Sequence, residues 1–256
     1  MVSSVSEWQI KLYENFHGSR KLQKRIISDN NFTYRELIKL LKPYLNNIHS
    51  VLDLGSGVGT IDFYLASKGK SVTGIEISEN AVGIAKANAR LFNLDKKIKF
   101  ITAEFPNKIK DKNYDLILFS EVIEHLENDT KALSDIWKVL KPRGLLIITT
   151  PSKNAPLYRM GLLDKFDKEV GHLRRYSLKE LEILVEKNGF KIVESNLQEG
   201  ILKNFLFTNP FAGKLLKFIK WYISDIVAIL DYATIPLFGE SNLHIVAKKI
   251  DPNHIK

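Results

Sequence analysis

Glycine stands at every second position of the loop Gly55-Ser56-Gly57-Val58-Gly59, directly after the apolar run Val51-Leu52-Asp53-Leu54. No other feature constrains the chain so tightly. Three glycines let the backbone turn sharply from a strand into a helix, and their missing Cβ atoms let a ligand lie against the loop itself. A nucleotide-like cofactor is the natural guest, although a lone glycine loop also suits an ordinary strand-to-helix turn. The spacing is G-x-G-x-G, not the G-x-G-x-x-G of dinucleotide-binding turns, and Asp53 precedes the first glycine. A carboxylate there repels a pyrophosphate and suits a ligand carrying ammonium and sulfonium charge.

What surrounds the loop must fit into 256 residues that are 45% hydrophobic, enough for one sizeable core, read here as one domain with additions. The absence of cysteine removes disulfides, thiolate metal sites and cysteine nucleophiles together. A formal charge of +9 admits an anionic partner such as nucleic acid, a lipid surface or an acidic substrate. The lysines are spread along the chain, so a solvated basic surface explains the charge equally well. Residues 1–10 lack the basic start and apolar core of a signal peptide, and no apolar run reaches the roughly 18 residues of a membrane span. The expected location is the cytoplasm, with peripheral membrane contact as the alternative.

Taken in order, residues 1–47 read as an N-terminal helical arm covering the substrate side, with aromatics Trp8, Tyr13 and Phe16 among basic residues. Thr33 to Glu36 has capping-box spacing ahead of a helix that Pro43 disturbs. Strands are expected at 50–54, 72–77, 98–102, 114–119, 145–149, 190–195 and 243–248. Helices are expected at 61–67, from the Ser78 cap to about 92, at 128–140, and after the capping box Ser177-Leu178-Lys179-Glu180, with 141–144 as a turn. Alternating strands and helices make an open, doubly wound α/β sheet with the ligand across the carboxyl ends of the strands. Glu76, 17 positions after Gly59, has about the spacing at which such folds set an acid against ribose hydroxyls.

The segment Asp53-Leu54-Gly55-Ser56-Gly57-Val58-Gly59 resembles motif I of the class I S-adenosylmethionine-dependent methyltransferases, and later motifs carry the resemblance from about 48 to 195. It implies a Rossmann-like seven-stranded sheet with an antiparallel last strand, a core over 48–200, a helical insertion over 201–240, and a last strand and tail over 241–256. It also implies that Asp53, Gly55, Ser56, Gly57, Gly59, Glu76, Ile77, Ala103, Glu104 and Ser120 hold S-adenosyl-L-methionine, with Glu104 facing the adenine amino group.

After the fourth strand comes Glu121-Val122-Ile123-Glu124-His125. On a helix, positions i, i+3 and i+4 share a face, so two carboxylates and an imidazole would meet at one point and could cradle a divalent cation. The pentad is similar to the metal-binding segment of the ubiquinone-biosynthesis O-methyltransferases and of the plant-type small-RNA 3′-terminal 2′-O-methyltransferases. In the latter group a further histidine completes the site, and His172 is the candidate here. The expected metal set is Glu121, Glu124, His125 and His172, for a cation such as Mg²⁺; the expected catalytic set is Glu121, His125 and His172. The same pattern also occurs in class I enzymes where the first acid lines the cofactor pocket and the histidine packs locally. Without a metal, His125 or His172 would act as general base. Arg174 and Arg175 are candidates for an anionic substrate group or plain surface arginines.

The insertion carries Leu215, Phe218, Ile219, Tyr222, Ile223, Ile226, Val227, Ile229 and Leu230 at helical spacing, with Lys214, Lys217, Lys220 and Ser224 as a polar stripe. It reads as a lid supplying an apolar pocket. Position 120 opens no Asp/Asn-Pro-Pro-Tyr-like segment, and lack of cysteine excludes covalent attack on a pyrimidine. The expected activity is therefore O-methylation of a small apolar or aromatic acceptor, quinone- or lipid-like. RNA ribose 2′-O-methylation and a catalytically silent cofactor-fold protein are the alternatives; no appended RNA-binding module favours the former.

Overall fold

Val51 and Leu52 are consecutive and equally buried, yet they belong to different cores. Val51 packs with Phe63, Leu65, Val72, Val82 and Leu118, whereas Leu52 packs with Ile117, Phe119, Leu133, Ile136 and Ile148. Successive side chains of a strand point to opposite faces, so a sheet covered on both sides needs continuous apolar runs. The computed structural model describes residues 7–18, 22–105, 113–209, 211 and 221–250. Its strands are β1 Ser50–Leu54, β2 Ser71–Glu76, β3 Ile98–Thr102, β4 Tyr114–Ser120, β5 Leu140–Pro151, β6 Phe190–Gln198 and β7 Asn242–Lys249. They form one sheet in the order β3-β2-β1-β4-β5-β7-β6, parallel throughout except for β7, which is antiparallel to β5 and β6.

Helix α1 Glu7–Gly18 precedes the sheet; α2 Arg35–Leu41, α3 Thr60–Ser67 and α4 Glu79–Leu91 cover one face. The opposite face carries α5 Asp129–Val139; after β5 come α6 Pro156–Arg159, α7 Asp164–Val170 and α8 Leu178–Lys187, of which α8 shares that second core. Ser78 caps α4 through the Ala81 amide, Asn128 caps α5 through Lys131, and the Ser177–Glu180 box is complete. Each cap stabilises its helix by about 1 kcal/mol. The box expected at Thr33 does not form: Tyr34 stands at the N-cap with no side-chain bond, and Asn31 Oδ1 accepts from the Thr33 and Tyr34 amides instead. The turn expected at 141–144 is absorbed into β5 as a bulge, since Tyr114 faces Leu140 but Leu116 faces Leu145.

The insertion between β6 and β7 holds α9 Ile201–Thr208, α10 Trp221–Ala233 and α11 Ile235–Phe238. Its expected polarity is partly reversed. Ser224 and Asp231 are buried at 2%, while Ile226, Ile229 and Leu230 are exposed. Asp231 turns inward because its carboxylate accepts from the Gly200 and Lys203 amides at the start of α9, where free N–H groups favour an anion. The side chains of Lys214, Leu215, Lys217, Phe218, Ile219, Lys220, Tyr222 and Ile223 lie outside the described residues, as does that of Phe16. Among the described residues no helix is long and apolar enough to cross a membrane.

Strand order reverses between β1 and β4, so the chain leaves their carboxyl ends in opposite directions and opens a crevice there. Gln198 pairs with Asn242, which also pairs with Pro151, so the insertion springs from that same rim.

Candidate active site

Gly55, Gly57 and Gly59 all have positive φ, of 77°, 53° and 83°. At Gly55 the need is also steric, since a Cβ would stand 2.4 Å from Val122 Cγ2. The Gly55 and Ser56 amides donate to Ile75 O, and Gly57 N donates to Glu76 Oε2 at 2.9 Å, so the loop is fastened to the end of β2. Glu76 Oε1 also accepts from Ser78 N at 2.9 Å. Beneath the loop lies Asp53, 3% exposed, its pKa raised first by burial and then by Asp62 and Glu76. Burial also pushes Asp62 up to about 7. A buried acid pair of this kind accepts a cation from above at little cost, and among the described residues the buried Ser56 hydroxyl has no partner. These features fit a cationic nucleoside donor.

The crevice deepens into a cavity of about 600 Å³, ample for a cofactor with a small acceptor. Asp53, Gly55, Ser56, Gly57, Glu76, Ile77, Ala103, Glu104 and Ser120 line it. Gly59 does not: it opens α3, and Phe63 and Phe100 fill the space where its side chain would be.

Across the cavity, Glu124, His125 and His172 bring one ligand atom each within 4.8 Å of one another. Glu124 Oε1 is 3.8 Å from His125 Nε2 and 3.9 Å from His172 Nε2. The far nitrogens are already committed: His125 Nδ1 donates to Gly171 O at 3.0 Å and His172 Nδ1 to Asp167 Oδ1 at 2.9 Å. The two Nε2 atoms therefore face a buried carboxylate oxygen that has no hydrogen-bond partner among the described residues. Burial, then His172, lowers His125 to about 4, so it is neutral at physiological pH; burial, then Glu121, raises Glu124. Against its burial, Arg175 and His172 lower Asp167 to about 2, which keeps it ionised as the acceptor behind His172. Imidazoles oriented by a carbonyl and a carboxylate, converging on a third ligand, could hold a divalent cation.

Glu121 is not part of that grouping. The helical face expected over 121–125 does not exist; only Ile123–His125 forms a turn of 3-10 helix, and Glu121 has φ +55°. Its carboxylate accepts instead from Thr149 Oγ1 at 2.8 Å and Asn242 Nδ2 at 2.9 Å, which ties β4 to β5 and β7 at the cavity wall. Arg174 and Arg175 are both engaged, Arg174 with Asp129 and Arg175 with Asp167. No local pattern pointed to Asp167 or to Thr150, whose hydroxyl donates to Glu124 Oε2 at 3.0 Å. The arm does reach the site: Gln9 Nε2 donates to His125 O at 2.8 Å and the Tyr13 ring stands edge-on to His125 at 5.7 Å. Burial, with Glu124 and Glu76, pushes the Tyr13 phenol well above its ordinary pKa.

Residues 26–195 match the family model described as a methyltransferase domain. The chain belongs to this family. It is an S-adenosylmethionine-dependent methyltransferase. A ubiquinone biosynthesis O-methyltransferase of Rickettsia bellii (strain OSU 85-389) is 29% identical to this methyltransferase over 171 residues, 63% of this chain and 69% of that one. Among solved structures, an S-adenosylmethionine-dependent methyltransferase from Archaeoglobus fulgidus shares the fold with a TM-score of 0.57 at 21% identity, over 84% of this methyltransferase and 94% of the other chain. The [4+2]-cyclase SpnF shares it at 0.63 and 17% identity, over 98% and 99%. That second likeness shows why the reaction must be argued from the site and not from the fold.

Proposed function

We propose that this methyltransferase methylates an oxygen of a small apolar or aromatic acceptor, quinone- or lipid-like, presented to a divalent cation held by Glu124, His125 and His172. The observation that carries the reading is the buried Glu124 Oε1, unpartnered among the described residues, facing the Nε2 atoms of two imidazoles. A bound cation would lower the pKa of an acceptor hydroxyl and orient a vicinal oxygen pair. Two imidazoles and one carboxylate make a softer set than the all-oxygen shell of Mg²⁺, and Mn²⁺ or Zn²⁺ suits it better. The chain's residues would do the rest: Asp53 and Glu76 seat the donor, Glu121 and Asn242 hold the cavity wall, and Tyr13 and Gln9 close the arm over His125. Placing the acceptor oxygen in line with the methyl is the main demand of the displacement.

The name of the Rickettsia relative supports an oxygen acceptor. An apolar acceptor is supported by Phe207 of α9, which lines the cavity with Leu12, Leu37 and Phe166, while Phe205, Ile229 and Leu237 of the insertion add exposed apolar surface. That surface would bring the protein to a bilayer, read by flotation with anionic liposomes. The test of the reading is methyl transfer from labelled S-adenosylmethionine to 4-methylcatechol with Mn²⁺, Zn²⁺ or EDTA present. Donor binding without transfer under any of these conditions would sink it.

A further inference from the structure

The end of the cavity away from the glycine loop is polar in a way the methyl-transfer reading does not use. Glu199 follows β6 with φ +61°, a strained value for a residue with a side chain. Its carboxylate lines the cavity, and among the described residues its side chain meets only Lys203, at 3.9 Å. Lys203 is also 3.9 Å from Glu36 Oε1, and its side chain is just 2% exposed. The ammonium thus stands behind the wall, while the two carboxylates stand in it. Beside them His244 lines the same cavity at 6% exposure, makes no side-chain hydrogen bond among the described residues, and has Nδ1 buried without a partner. Asn242 Oδ1 is likewise buried and unpartnered. Buried polar atoms are normally satisfied, and a wall that leaves several acceptors open is one that a ligand completes.

We infer that Glu199, with His244, anchors the far end of the acceptor and selects one bearing an O–H or N–H donor over one bearing a carboxylate. The inference rests on the proposed acceptor chemistry and deepens it. A carboxylate in that place would face Glu36 and Glu199 with Lys203 screened behind them. A hydroxyl or ammonium would give Glu199 the donor it lacks. Burial raises Glu199 to about 7 against the pull of Lys203. The charged groups facing it are Lys203, Glu121, Asp231 and Glu36. His244, lowered to about 3 by burial and Lys203, stays neutral with one nitrogen to donate and one to accept.

Three catechols differing only in their tails separate the outcomes: dopamine with an ammonium, hydroxytyrosol with a hydroxyl, and 3,4-dihydroxyphenylacetate with a carboxylate. Their affinities for the full chain saturated with S-adenosylhomocysteine would be measured by calorimetry. Dopamine and hydroxytyrosol are expected to bind about tenfold or more tightly than the carboxylate, and in Glu199→Gln the gap to dopamine should shrink to within about twofold. S-adenosylhomocysteine affinity reports that the variant is folded. Preference for dopamine alone assigns an ammonium, and equal preference assigns any donor. Equal or better binding of the carboxylate, or a gap unchanged by Glu199→Gln, overturns the inference while turnover of 4-methylcatechol leaves the reaction standing. If no catechol binds or turns over, the acceptor chemistry fails and the inference falls with it.

Discussion

Glu124 and His172 meet from two separate segments of the chain, with Oε1 and Nε2 3.9 Å apart. Among the described residues nothing donates to that oxygen. If a cation fills the gap, Glu124→Ala should lower divalent-cation affinity and methyl transfer by about 100-fold or more, while donor affinity stays within about threefold. Glu124→Gln should fare little better, because an amide lacks the charge. Metal titration by calorimetry beside turnover in EDTA checks this; an EDTA-insensitive enzyme would refute it.

Gly55 lies at φ +77° with Val122 in the space of a side chain. Gly55→Ala should cost about 1–3 kcal/mol of stability and weaken S-adenosylmethionine binding. Adding Val122→Ala removes the clash but not the backbone strain, so the double variant should recover only part of the loss. Denaturant melts of Gly55→Ala, Val122→Ala and the double variant decide it, and full recovery would show that φ contributes nothing.

Asp115 fastens the start of β4 to β1 by accepting from the His49 and Ser50 amides, and it pairs with Lys141 at 2.7 Å. Burial alone would raise its pKa; the Lys141 hydrogen bond and the two amides outweigh that and hold it well below the usual carboxylate range. A depressed folded pKa means that the stabilisation is complete above the unfolded value near 4 and is lost as pH falls toward the folded value. Asp115→Asn should cost about 1–2 kcal/mol at neutral pH, allowing for solvent screening, and progressively less as the pH falls below about 4. Melting curves across that range measure it, and a cost independent of pH would contradict the assignment.

Glu14 fixes the arm to the core at a second place, away from the Gln9 bond to His125. Its carboxylate accepts from Ser78 Oγ at 3.1 Å and from the Glu79 and Asn80 amides at the start of α4, where the helix favours an anion. Glu14→Ala should release α1 from above the cavity, raising the off-rate of S-adenosylhomocysteine by about threefold to tenfold with little change in melting temperature. Stopped-flow release is the measurement, and an unchanged rate would mean that α1 does not gate the donor.

The period-two and helical patterns, the glycine loop and its guarding acid were local properties, and local steric rules were enough to read them. Ser78, Asn128 and the Ser177 box cap helices because each needs only an amide two or three residues on. Local reading failed where a distant partner competed. Asn31 displaced Thr33 at α2, Asp231 turned inward to the amides of Gly200 and Lys203, and Glu121 left its neighbours for Thr149 and Asn242. Glu124, His125 and His172 could be named in advance, but Asp167, Gly171 and Thr150 as their supports could not. Nor could the acid wall of Glu36 and Glu199 with Lys203 behind it. Such groupings join segments distant in the chain, and no local spacing encodes them, because the burial that gives a lone charge its energy exists only once the sheet and its covering helices have formed.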